Sequence, residues 1–146
     1  MATSPRISHF LICERRDIPD PNRIAASLSA AGSRTEATQS RLPHNFELAI
    51  APNRSRVLVQ FGEDLTDPFE YGSDFEILED LVAEGTLSDT ERARTCRFAW
   101  VGYWDHADRA TVDALLRLLC ERMAARVVIP PWHRVSAATP DEETNA

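Results

Sequence analysis

The hydrophobic pattern along the chain switches between a period of two and a period of three to four, and the switches predict the elements. Ile7–Cys13 reads as a strand, with Phe10 and Ile12 on one face and Ile7, His9 and Leu11 on the other. Residues 14–20 are a polar loop. Asp20 then caps a helix, Pro21 takes its first position, where a missing N–H costs nothing, and Gly32 stops it. Ile24, Ala25, Leu28 and Ala31 form its buried stripe. Residues 33–44 read as a polar connection. Residues 46–51 alternate with Phe46, Leu48 and Ile50 inward, and residues 56–61 with Val57, Val59 and Phe61 inward. Pro52-Asn53-Arg54-Ser55 between them reads as the turn of a β-hairpin.

Ser73-x-x-Glu76 has the form of a capping box, which opens a helix running to about Glu84, with Phe75, Leu78, Leu81 and Val82 inward and Gly85 as its stop. Ser88-x-x-Glu91 repeats the box and starts a short second helix. Residues 97–104 read as a strand with Phe98, Trp100, Gly102 and Trp104 on one face. Asp105 is placed to cap a helix over about 106–125, whose Val112, Leu115, Leu116, Leu119 and Met123 keep helical spacing, with Asp113 and Arg117 as a supporting i,i+4 pair. A last short strand at 127–129 is ended by Pro130-Pro131. The order β-α-β-β-α-(α)-β-α-β predicts an α+β fold: a mixed or antiparallel sheet of about five strands with helices packed on one face. Its first six major elements also fit a ferredoxin-like split β-α-β with an appended helix and strand.

At 146 residues the chain has the length of a single domain, assigned to residues 7–134, between a flexible N-terminus (1–6) and a disordered acidic tail (135–146). All 16 basic residues are arginine, the composition of a GC-rich, bacterial type of genome. The absence of lysine removes the P-loop, protein-kinase and Schiff-base chemistries, each of which needs a lysine amine. Cys13, Cys96 and Cys120 have no metal or redox spacing and sit among apolar residues, so they read as buried structural thiols of a reducing compartment. No charged-then-apolar leader pattern and no apolar run of about 18 residues is present, so a cytoplasmic location is expected.

Charge changes the picture more. The net charge is −7, and it is segregated: residues 62–91 hold eleven acids and no arginine, leaving the rest of the chain basic. Glu76, Asp80 and Glu84 fall at i,i+4 on the helix face opposite the apolar stripe. Like charges at that spacing cost a helix roughly 0.2–0.5 kcal/mol per pair. A run of acids is commonly a solvated face that aids solubility. As a functional feature it is an electrostatic docking face for a basic protein, comprising Asp67, Glu70, Tyr71, Asp74, Glu76, Glu79, Asp80 and Glu84, with Phe69 beside them. Divalent metal is the weaker use of these carboxylates, since no EF-hand spacing is present. With a pI near 5.1, direct nucleic-acid binding is not expected.

Catalytic candidates are sparse. There is no G-x-S-x-G, H-E-x-x-H or G-x-G-x-x-G. His9 lies on an apolar strand and reads as a packed histidine. His44 and His133 fall in loops. His106 follows Trp104-Asp105 at a strand end, though Asp105 has a sufficient role as a helix cap. The residues therefore point to a non-enzymatic inhibitor, immunity or antitoxin type of protein that neutralises a cationic protein partner, without cofactor, metal or membrane. The alternatives are a small enzyme or ligand binder with a pocket near Trp100, Trp104 and His106, and a subunit of a larger assembly.

Overall fold

The computed structural model describes residues 7–32, 34–39, 45–51, 55–67, 72–104 and 107–129. In chain order the elements are β1 (Ile7–Cys13), α1 (Pro21–Ala30), β2 (Thr35–Gln39), β3 (Phe46–Ile50), β4 (Ser55–Phe61), α2 (Ser73–Ala83), α3 (Asp89–Arg94), β5 (Arg97–Tyr103), α4 (Arg109–Met123) and β6 (Ala125–Val128). The strands form one sheet in the order β2-β3-β4-β5-β1-β6, with every described pairing antiparallel. The α+β class and the antiparallel sheet are those the pattern predicts. The split β-α-β of a ferredoxin-like chain is not formed at β1. That topology leaves one strand between the two that flank the first helix, whereas β1 and β2 are separated here by β5, β4 and β3.

β5 is buried on both faces, as is the second half of β1. The reason is a helix layer on each side, which corrects the expectation of helices on one face. Leu11, Cys13, Ala99 and Val101 face α1 and α4, packing with Ile24, Leu28, Val112, Leu115, Leu119 and Met123. The alternate residues Phe10, Ile12 and Phe98 face α2 and pack with Leu78, Leu81, Leu87 and Val128. Large apolar side chains on both faces of one strand need cover on both, because burial is worth about 25 cal/mol per Å² of apolar surface.

The caps decide the ends. Asp20 accepts from the Asn22 N–H at 2.9 Å and Pro21 sits at the first position of α1, as expected. Ser88 and Glu91 complete their capping box on α3. The box expected at Ser73 is absent: Gly72 is the N-cap and Ser73 is already the first helical residue. Helix α4 starts at Arg109, capped in position by Asp108, whose Oδ2 accepts from the Thr111 hydroxyl at 2.6 Å. It ends at Met123, and Ala124 at φ +47° turns the chain directly into β6, two residues earlier than expected. The 33–44 connection contains β2, whose Thr35 and Ala37 turn inward and whose Glu36 and Thr38 face water. The terminal segments 1–6 and 135–146, the hairpin turn at 52–54, and Asp105 lie outside the described residues. No helix among the described residues is long and apolar enough to cross a membrane.

Candidate docking face

The acidic segment begins where β4 ends, and two glycines shape it. Gly62 donates its N–H to the Phe98 carbonyl at 2.8 Å, the last rung between β4 and β5. The next residue, Glu63, then forms a reciprocal pair with Asp74. The Glu63 N–H donates to Asp74 Oδ2 at 2.8 Å, and the Asp74 N–H donates to Glu63 Oε1 at 3.2 Å. Glu63 thereby serves the first turn of α2 in place of the absent Ser73 cap, with its charge at the positive end of the helix dipole. A Cβ at Gly72 would lie 2.2 Å from Glu63 Oε2, so glycine there makes room for the capping carboxylate.

The far end of α2 closes as a Schellman motif. The Gly85 N–H donates to the Val82 carbonyl at 3.0 Å and the Thr86 N–H to the Leu81 carbonyl at 2.9 Å, with Gly85 at φ +79°. Leu78 and Leu81 face the sheet, which fixes the rotation of the helix. The opposite face presents Glu76, Asp80 and Glu84, all exposed. Among the described residues none of these three side chains has an ion pair or a hydrogen bond.

Of the segment's other described acids, all but the exposed Asp89 are engaged. Asp74 is buried and holds the Glu63 N–H. Glu79 pairs with Arg92, and Glu91 pairs with Arg126. Asp64 is buried, accepts from the Thr66 N–H at 2.9 Å and the Thr66 hydroxyl at 2.5 Å, and meets Arg16 at 2.6 Å. Asp67 is half-buried, while Phe69, Glu70 and Tyr71 lie outside the described residues. Of the eight residues expected to form one face, the structure therefore places Glu76, Asp80 and Glu84 together in water and gives Asp74 and Glu79 local partners. The arginines that neutralise the segment come from outside it in sequence: Arg16, Arg92 and Arg126. The sequence contains no signal for Arg16 or Arg126, because β-sheet pairing brings them close.

Burial pushes the Asp64 carboxyl up, but the Thr66 hydrogen bonds and the Arg16 and Arg97 charges outweigh it and hold its pKa below the ordinary value. A carboxylate with a depressed pKa stabilises the fold above its unfolded value of about 3.9, and that contribution is lost as pH falls through the folded value. Acid titration of unfolding should therefore show a loss of stability below about pH 4 that Asp64→Asn removes. An unchanged acid limb in the variant would assign the loss to other carboxylates.

The alternative catalytic groups are placed as follows. His9 Nε2 lies 2.9 Å from the Tyr103 hydroxyl, with the two rings stacked at 5.5 Å. Tyr103 is fully buried, and burial raises its pKa, with Arg109 opposing the rise. Trp100 packs against Phe10 and Phe98, and Trp104 carries the Arg56 guanidinium at 5.4 Å. His44, His106 and His133 lie outside the described residues. Burial raises the pKa of the three cysteines, that of Cys13 to about 12, so they stay protonated thiols at neutral pH. Among the described residues no cluster of three or more metal-binding side chains occurs. Comparison with protein-family models, with curated proteins and with solved structures finds no match for this chain.

Proposed function

We propose that the chain is a non-enzymatic binding protein of inhibitor, immunity or antitoxin type, which neutralises a cationic protein in the cytoplasm by docking the Glu76, Asp80 and Glu84 row of α2. The observation that carries this reading is an electrostatic cost left uncorrected. Helix α2 has no base in its last turn, while Asp80 and Glu84 lie at its negative end and i,i+4 from one another and from Glu76. The same chain supplies arginine partners to Glu79, Asp64 and Glu91, so it neutralises acids nearby and leaves this row bare. A bare row of one sign on a rigid helix steers a partner of opposite sign and sets its orientation.

The test reverses Asp80→Arg and Glu84→Arg together. Removing like-charge pairs and placing bases at the helix C-terminus should raise stability by about 0.5–1 kcal/mol, read from denaturant unfolding. Affinity capture from the native host, at low and moderate salt, should retain a basic protein on the wild type and lose it on the variant. Wild-type capture should weaken as salt rises. If the variant is stabilised and captures the same proteins, the row is a solubility feature and the docking reading fails.

A further inference from the structure

Arg97 is a buried cation with one donor group to spare. Its Nε–H donates to the Arg16 carbonyl at 2.9 Å and its Nη1–H to the Gly62 carbonyl at 2.7 Å. Nη2 has no hydrogen bond among the described residues, and no carboxylate lies within ion-pair distance of the guanidinium. Among those residues no side-chain nitrogen or oxygen sealed from solvent lacks a partner, so Nη2 reaches solvent. It is the donor that Arg97 has left for the cleft it lines, a space of about 290 Å³. The other walls are the loop after β1 (Arg16, Asp17 and Ile18) and the turn after β4 (Gly62, Glu63 and Asp64).

The acids of these walls are turned away or already committed. Asp64 Oδ1 accepts from the Thr66 N–H and hydroxyl, and its Oδ2 meets Arg16 Nε at 2.6 Å. Glu63 points its Oε1 at the first turn of α2, where it accepts from the Asp74 N–H. Asp17 is exposed, so water screens its charge. Arg16 gives Asp64 its Nε and keeps its two Nη groups without an ion pair or hydrogen bond among the described residues. Two guanidiniums therefore share one buried carboxylate, which leaves about one positive charge unmatched beside an open cleft. A buried cation whose bonds go only to carbonyls gains from an anion in contact.

We propose that this cleft binds a small aliphatic monocarboxylate, held between Arg97 Nη2 and the Nη groups of Arg16, with its apolar end against Ile18. Guanidinium donors match the flat, two-oxygen shape of a carboxylate. One negative charge fits the local balance. A phosphate dianion exceeds it and meets Asp64 and Glu63 as like charges. The site shares no residue with the Glu76, Asp80 and Glu84 row and does not rest on that reading.

The test titrates the full, ¹⁵N-labelled chain at slightly alkaline pH, where phosphate is a dianion. Sodium acetate is compared with sodium chloride and sodium phosphate at equal ionic strength. Acetate should shift the Asp17, Gly62 and Glu63 amide signals saturably, with half-saturation at roughly 1–30 mM. Chloride should give no saturable shift, and phosphate should need at least about fivefold more than acetate. Arg16→Gln, at a side chain 66% exposed, should weaken acetate about fivefold. Asp64→Asn removes the competing carboxylate and should tighten acetate by about as much. A purely structural role predicts no such opposite changes. No saturable shift with acetate, equal shifts with chloride, tighter binding of phosphate, or wild-type affinity in a folded variant overturns the proposal. Either variant serves if the other fails to fold, and the three wild-type titrations decide if neither folds.

Discussion

Arg97→Ala should lower the unfolding free energy by about 3 kcal/mol, which for a chain of this length is a fall in Tm of about 10 °C. Arg97 opens β5 and is 7% exposed. Its Nε–H donates to the Arg16 carbonyl at 2.9 Å and its Nη1–H to the Gly62 carbonyl at 2.7 Å. Those carbonyls belong to the loop after β1 and to the first residue after β4. One guanidinium thus ties together the two chain segments that flank the start of β5. Truncation leaves two acceptors without their donor and removes positive charge from beside the buried Asp64. An acceptor left unbonded where water does not reach it costs about 1–3 kcal/mol, more than the bond itself contributes. Arg97→Met separates the donors from the volume: it keeps the packing and should retain most of the loss. If both variants unfold within about 0.5 kcal/mol of wild type, water reaches the carbonyls and the staple is not needed.

The strands and their faces were legible because alternation is a direct consequence of a two-residue period. Residues 46–50 and 57–61 carry apolar side chains at every inward position, and residues 10–13 are apolar throughout. β2 was hidden for the converse reason. An edge strand with one wet face, Thr-Glu-Ala-Thr-Gln, has too little apolar content to stand out from a loop. The second helix layer was also visible in principle. Phe10, Ile12 and Phe98 alternate with residues that are equally apolar, and such a strand has no solvent face. Such a strand needs a helix layer on each side.

The candidate site was half legible. Glu76, Asp80 and Glu84 follow from helical spacing and the Leu78 and Leu81 stripe, and they sit where that spacing puts them. The other acids could not be sorted from the sequence, since what separates Asp64, Asp74 and Glu79 from them is a tertiary partner. Arg126 is 35 residues from Glu91, and Glu63 is 11 from Asp74. The Ser73 box illustrates the general limit: a local motif competes with a cap supplied from further away, and here Glu63 wins because Gly72 lets its carboxylate approach.

Gly62→Ala should cost about 2–3 kcal/mol although it adds a single methyl group. A Cβ there would stand 2.3 Å from Asp74 Oδ2 and 3.3 Å from Trp100 Cζ3. Asp74 is short and buried, so its carboxylate can yield only by giving up the Glu63 N–H, and Trp100 packs against Phe10 and Phe98 and blocks the other side. The matching Gly72→Ala should cost only about 1 kcal/mol, because the colliding atoms end a longer, partly exposed glutamate that can swing out at the expense of one cap. The mechanism is checked by a double-mutant cycle read in urea. In an Asp74→Ala background the clash partner is gone, and Gly62→Ala should cost less than about 1 kcal/mol, a coupling of about 1–2 kcal/mol. Equal costs in both backgrounds would place the strain against Trp100 and not in the reciprocal pair. The same cycle bears on the proposed docking row, because Glu63 and Asp74 hold the first turn of α2. Loosening that turn should weaken partner capture through Glu76 before it affects Glu84, which the Schellman closure at Gly85 holds separately.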